Sequence, residues 1–276
     1  MLNHSLDKYV PYSYQEIAKH AEGHELPINV YLPTVENEYN SVAVVCIHGG
    51  AWTSDLKQGE KWSGSWMKHT ASLFASLGYT AIEITHRSIT ETGINGILSD
   101  VETAFRTVKT SIMPRHGLSK LYAIGDSAGG HLALMSAIFE DNSLRPEKVV
   151  ACNPVSDLTD TKWQLHTTTE AERKNASPIY RDYKTKTEIF ILHGDADQTV
   201  PLVSSEKLHA YLITLGVKSR LEILPDAAHA FILYGYRTST EKVNEYTEKA
   251  VVPCSEQRVV NFASMLGRFL WRMQRR

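Results

Sequence analysis

The run Gly125-Asp126-Ser127-Ala128-Gly129 stands between a short apolar stretch, residues 120–124, and a helical pattern that opens near Ser127. It matches G-x-S-x-G, and a strand before it with a helix after it is the context that pattern requires. The turn must be sharp enough to hold the serine at the tip of the strand. Side chains two residues to either side would collide with neighbouring backbone, and glycine removes them. The helix start also leaves free backbone N–H groups beside Ser127. Asp126 is expected to make turn or helix-start hydrogen bonds. His131 falls inside the helix, too close in sequence to act on Ser127, and reads as structural.

Apolar runs alternate with helical patterns through most of the chain. Residues 26–32 read as an edge strand, because Pro27 lacks the N–H that a central ladder uses. Residues 41–47 are Val-rich and continuously apolar, as in a strand buried on both faces of a parallel sheet. Further strands are expected at 80–85, 120–124, 148–152, 188–192 and 220–224. Helical spacing falls at 69–77, 97–112, 127–139, 203–215 and 259–273. This alternation predicts the α/β class, with a mostly parallel, doubly wound sheet and helices on both faces. No internal repeat, low-complexity tract or Gly/Ser linker interrupts it, so residues 1–276 read as one domain. Residues 155–186 are too many for an ordinary loop and read as either a small lid or a packed surface excursion.

The 276 residues are 42% hydrophobic, enough for one substantial core. A net charge of −2 gives no electrostatic case for nucleic acid or an anionic membrane surface. No run approaches the roughly 18 apolar residues of a membrane span. Residues 1–10 lack an apolar stretch of signal-peptide length, so the expected location is cytoplasmic. Cys46, Cys152 and Cys254 show no metal-ligand spacing and are expected to be free thiols in a reducing compartment.

A second motif follows the Val-rich strand: His48-Gly49-Gly50-Ala51-Trp52. Acyl transfer builds negative charge on a carbonyl oxygen, and pre-aimed backbone N–H donors lower that barrier. The two glycines let the backbone approach a substrate closely. The candidate donors are Gly49 or Gly50 together with Ala128, the residue after the serine, whose position alone the motif fixes. His48 is expected to brace the loop through a backbone hydrogen bond. Trp52 either packs beneath the loop or lines the acyl pocket.

An acid and a base are expected at two later strand ends, where parallel sheets place function. The strand at 188–192 runs into His193-Gly194-Asp195-Ala196-Asp197. Asp195 and Asp197 compete for the acid role, and spacing does not separate them. The strand at 220–224 leads to His229, which small residues flank. His209, the other histidine beyond the acid loop, sits mid-helix and reads as a surface residue. Ser127 would attack, His229 would carry the proton, and the aspartate would hold the imidazole tautomer.

Together, H-G-G-A-W, G-D-S-A-G-G-H, H-G-D-A-D-x-x-V-P and the late H-A-F resemble the alpha/beta-hydrolase superfamily. The branch they resemble holds small esterases: acetyl-xylan and other carbohydrate acetylesterases, kynurenine-formamidase-like and hormone-sensitive-lipase-like enzymes. The resemblance covers about residues 26–273, and the order serine, acid, histidine agrees with it. It implies Asp197 as the triad acid and a supporting role for Asp195. It also supports Gly49, Gly50 and Ala128 as the oxyanion hole. Residues 52–68, with Trp62 and Trp66, and residues 234–254 are longer than in the simplest relatives. Both could border the pocket, Tyr234 included.

The expected activity is a serine esterase acting on small acyl groups, acetyl or similar, carried by a carbohydrate or a similar alcohol. An amidase of the arylformamidase type or a small peptidase is the alternative. A non-catalytic binding protein is disfavoured, because no triad member is missing. The motifs imply no metal and no cofactor. The expected partner is a small ester, and a homodimer is a guess that no residue pattern carries.

Overall fold

The computed structural model describes residues 12–54, 56, 64–163 and 168–229. Tyr234, Cys254 and the helix expected at 259–273 lie outside them. Eight strands among the described residues form one sheet in the order β1-β2-β4-β3-β5-β6-β7-β8. They are β1 (Tyr14–Lys19), β2 (Glu25–Tyr31), β3 (Val42–Ile47), β4 (Thr80–Ile84), β5 (Lys120–Asp126), β6 (Lys148–Cys152), β7 (Glu188–Gly194) and β8 (Ser219–Leu224). The pairs β1–β2 and β2–β4 are antiparallel, and every other pair is parallel.

Among the described residues, six α-helices accompany these strands: α1 (Lys68–Ser76), α2 (Ile89–Thr107), α3 (Met113–Arg115), α4 (Ala128–Ser136), α5 (Glu170–Ala176) and α6 (Leu202–Thr214). A π-helical turn, Val108–Ile112, joins α2 to α3. Side-chain alternation in the strands builds two cores. Ala43, Val45 and Ile47 of β3 pack with α2 and α4. Val42, Val44 and Cys46 pack with Ala71, Phe74 and Ala75 of α1. Both faces of β3 are therefore buried, which is why its sequence is apolar without alternation. Cys46 and Cys152 are free and buried.

The expectation that residues 26–32 form the sheet edge is corrected. β1 pairs outside β2 over its whole length, from Tyr14 opposite Val30 to Lys19 opposite Glu25. Pro27 is tolerated because β4 pairs only with residues 28–31. Helix α2 also begins earlier than its apolar spacing suggests. Its first turn is held by the Glu91 carboxylate, which accepts the Ser88 backbone N–H at 2.7 Å, and it kinks at Gly93. Ahead of α2, the Arg87 guanidinium donates to the buried Asp100 carboxylate at 2.8–3.1 Å and ties the end of β4 to the helix.

Residues 155–186 carry two 3-10 turns and α5, whose start Thr169 and Glu172 cap reciprocally. Val155, Leu158, Ala176 and Tyr183 anchor this stretch in the core. Lys162 donates to the backbone carbonyls of Gln198 and Thr199, which tethers the stretch to the loop after β7.

Candidate active site

The parallel strands bring four loops to one edge of the sheet. β3 ends at Ile47, β5 at Asp126, β7 at Gly194 and β8 at Leu224. The residues singled out in the sequence follow directly after these C-terminal ends, where helix N-termini and open loops leave room for a ligand.

Ser127 sits at the tip of the β5–α4 turn with φ 54° and ψ −115°. This conformation is strained for a residue with a side chain, at about 1–3 kcal/mol. Its own N–H donates to Cys152 O at 2.9 Å, which ties the turn to β6. A Cβ on Gly125 would lie 2.1 Å from Gly129 O, and one on Gly129 would lie 2.2 Å from Ile47 O and 2.6 Å from His48 O, so the first motif glycine clears the helix start and the second clears the end of β3. A Cβ on Gly49 would meet Asp126 O at 2.5 Å and Ser127 Cβ at 3.2 Å. The Gly49 backbone is therefore packed directly on the serine turn. Ala128 is the first residue of α4, so its N–H has no partner within the helix.

His229 Nε2 lies 3.1 Å from Ser127 Oγ, and His229 Nδ1 lies 2.7 Å from Asp197 Oδ2. Asp197 Oδ1 accepts the backbone N–H groups of Thr199 and Val200 at 2.8 and 2.9 Å. Burial alone would raise the Asp197 pKa. The His193 ring 3.4 Å away, the hydrogen bond from His229 and its charge, and the Val200 N–H overcome it and hold the carboxyl well below the usual range. Asp195 points elsewhere: its Oδ1 accepts the Asp226 N–H at 2.6 Å. It thereby braces the acid loop to the turn that leads to His229. Of the two aspartates, Asp197 is the one that meets His229.

Asp126 is buried, and its Oδ1 accepts from Asn153 Nδ2 at 2.7 Å. Burial pushes its pKa up to about 6, with Asp197 adding to the rise and His229 and Asn153 opposing it. His48 braces its loop, with Nδ1 donating to Gly49 O at 2.9 Å. Its ring stacks on His86 at 4.5 Å.

Trp52 takes the place beneath the loop. It is fully buried and offers no surface for lining a pocket. Its Nε1 donates to His131 Nδ1 at 3.0 Å, which leaves His131 Nε2 to donate to Ala176 O at 2.7 Å. The neutral His131 ring thus joins the His-Gly-Gly loop, α4 and residues 155–186. Burial holds its pKa down to about 4, which suits a neutral bridge. His209 bonds Ser219 Oγ at 2.8 Å, remote from this cluster in the fold.

Two contributors carried no role in the sequence reading. His193 is buried, with Nε2 donating to Val200 O at 2.9 Å and lying 3.4 Å from Asp197 Oδ2. Its place four residues before Asp197 in H-G-D-A-D was the available signal. Glu83 lies in the middle of apolar β4 and is fully buried. A lone carboxylate in such a strand was the signal there, since a buried charge needs partners.

The BD-FAE family model matches residues 28–212. Esterase LipQ of Mycobacterium tuberculosis is 27% identical over 217 residues, covering 69% of this chain and 50% of LipQ. The non-reducing polyketide synthase mapC of Penicillium brevicompactum is 38% identical over 68 residues, covering 24% of this chain and 3% of the synthase. The chain thus spans half or less of the length of these curated relatives. Among solved structures, the propionate-bound thermophilic esterase Est2 of the planctomycete Thermogutta terrifontis superposes with a TM-score of 0.72. It is 21% identical and the match covers 98% of both chains, a likeness of alpha/beta-hydrolase fold.

Proposed function

This chain belongs to the BD-FAE family, and on that premise we propose that it hydrolyses small carboxylic esters through a Ser127–His229–Asp197 acyl-enzyme mechanism. The observation that carries the reading is the continuous bond path from Ser127 Oγ through both nitrogens of His229 to Asp197. LipQ and Est2, both described as esterases, support the same reaction class. The propionate on Est2 supports a short acyl group.

Ser127 Oγ attacks the ester carbonyl carbon while His229 Nε2 takes its proton. The carbonyl π electrons move to oxygen, where the N–H groups of Gly49, Gly50 and Ala128 receive the charge. Each such donor is worth about 3 kcal/mol. Asp197, kept ionised, holds the Nδ1–H tautomer and stabilises the imidazolium. Collapse of the tetrahedral intermediate breaks the C–O bond to the alcohol, which leaves with the proton from His229. Water then repeats the sequence on the acyl-enzyme, releasing the acid and restoring Ser127.

The test combines turnover and labelling. Wild-type protein is expected to hydrolyse p-nitrophenyl acetate and to take up a fluorophosphonate on Ser127. Ser127→Ala should abolish labelling and lower kcat by about 10⁴-fold or more. Faster turnover of N-formylkynurenine or aminoacyl amides than of acetyl esters would move the assignment to an amidase. An unreactive Ser127 in folded protein would sink the hydrolase reading and favour a binding protein on this scaffold.

A further inference from the structure

The buried carboxylate of Glu83 is spent on the segment that leads into α1. Both Ser65 N–H and Ser65 Oγ donate to Glu83 Oε1 at 2.6 Å. The other oxygen, Oε2, accepts from Tyr31 OH at 3.0 Å and Asn29 Nδ2 at 3.2 Å. Ser65 Oγ in turn accepts the Met67 N–H at 3.0 Å. Gly64 makes room for this carboxylate, because a Cβ there would lie 2.8 Å from Glu83 Oε2. Four donors on one carboxylate offset its desolvation and fix its position.

The residue displayed by this pinned turn is Trp66. Its ring meets that of His48 edge-on at 5.7 Å. A Cβ on Gly50 would fall 2.5 Å from Trp66 Cη2, so the indole lies directly against the Gly50 backbone. Gly50 is one residue from Gly49, which packs on Ser127. Trp66 is nonetheless 38% exposed, an unusual state for a large aromatic beside a loop this tightly packed. The Cη2–Cζ2 edge of the indole therefore lies against Gly50 and the ring meets His48, while part of the side chain stays exposed.

We propose that Glu83 is a positioning residue: through Ser65 it holds Trp66 against Gly50, so that the indole forms the apolar wall beside which the ester carbonyl is seated. The inference rests on the esterase reading of the same site. Its consequence is that Glu83, Ser65 and Trp66 act as one unit on substrate selection, although Glu83 never touches substrate.

The test is a double-mutant cycle on p-nitrophenyl esters of increasing acyl length, with active sites counted by fluorophosphonate labelling. Trp66→Ala and Glu83→Gln are each expected to lower kcat/KM per labelled site by about tenfold, and the double variant by about the same tenfold, as for groups acting in series. Both should shift the acyl-length preference in the same direction, and Ser65→Ala should do so more weakly. A purely structural Glu83 would lower the labelled fraction but leave the preference and KM of labelled sites unchanged, and that result overturns the proposal. Ser65→Ala keeps the test decisive if Glu83→Gln does not fold.

A second readout needs no turnover. The fluorescence difference between each protein and its Trp66→Phe partner isolates Trp66. It is expected to shift to the red and to become more quenchable by acrylamide in Glu83→Gln. An unchanged signal overturns the pinning. A shifted signal in a protein that hydrolyses no ester would sink the esterase reading and leave the pinning in place.

Discussion

His193 Nε2 lies 3.4 Å from Asp197 Oδ2, the same carboxylate oxygen that meets His229. Both side chains of the His193–Asp197 pair are fully buried. Asp197 is thus gripped from two sides, and its pKa is depressed although burial acts against this. A carboxylate with a depressed folded pKa contributes stability that is present above its unfolded value, 3.8 for Asp197, and lost as pH falls through the folded value. His193→Phe should raise the Asp197 pKa toward the ordinary range. The acid limb of unfolding, followed by urea denaturation between pH 2 and pH 5 as a rough window, should then move to higher pH. The variant should also lose kcat, by up to about 10²-fold, as Asp197 is held less well in place.

Asp126 has the opposite sign. Its folded pKa of about 6 lies above the unfolded value of 3.8. The stability tied to its proton is fully present below the unfolded value and is lost as pH rises through about 6. A shift of this size corresponds to no more than about 3 kcal/mol. Asp126→Asn keeps an acceptor for Asn153 and removes the titration. Its stability should change less between pH 4 and pH 7, approximate limits bracketing the two values. At the upper end it should equal or exceed that of wild type. A pH dependence identical to wild type would show that Asp126 does not titrate in this range.

The positive φ of Ser127 sets stability against activity. Glycine adopts this conformation without the steric cost that a Cβ imposes. Ser127→Gly should therefore be more stable than Ser127→Ala by about 1 kcal/mol, measured by chemical denaturation. Neither variant should turn over esters.

Gly49 tests the close approach of the two loops. A methyl group there would sit 2.5 Å from the Asp126 carbonyl oxygen, a backbone atom that can yield only if the serine turn shifts. Gly49→Ala should lower kcat by about 10²-fold, the scale of a displaced oxyanion donor. KM should change far less, since ground-state binding does not use the developing charge.

Much of this architecture was legible along the chain. Continuous apolar runs marked β3 and β6, because both faces of a central strand are buried. The G-x-S-x-G turn was legible because Gly125 and Gly129 touch within a single local motif. β1 was not: its sequence, YQEIAK, is only partly buried and carries no strong period. The tie between Asp195 and Asp197 was also out of reach of spacing, and the family resemblance rather than local pattern pointed to Asp197.

What the sequence by itself determined is therefore local: where strands end, where glycine must replace a side chain, and which polar residues follow each strand. Strand ends and the Gly125 turn depend on periodicity and sterics within a few residues, whereas the space at Gly49 and Gly129 is set by backbone of another strand end. The tertiary structure alone decided which of those residues meet. Ser127 and His229 are 102 positions apart, and they reach bonding distance because β5 and β8 run parallel and end at the same edge of the sheet. Asp197 rather than Asp195 faces His229 because the loop after β7 turns one carboxylate inward and leaves the other to brace the Asp226 backbone. Glu83 holds Ser65 for the same kind of reason: sheet packing set a carboxylate beneath a loop, and no local pattern encodes that distance.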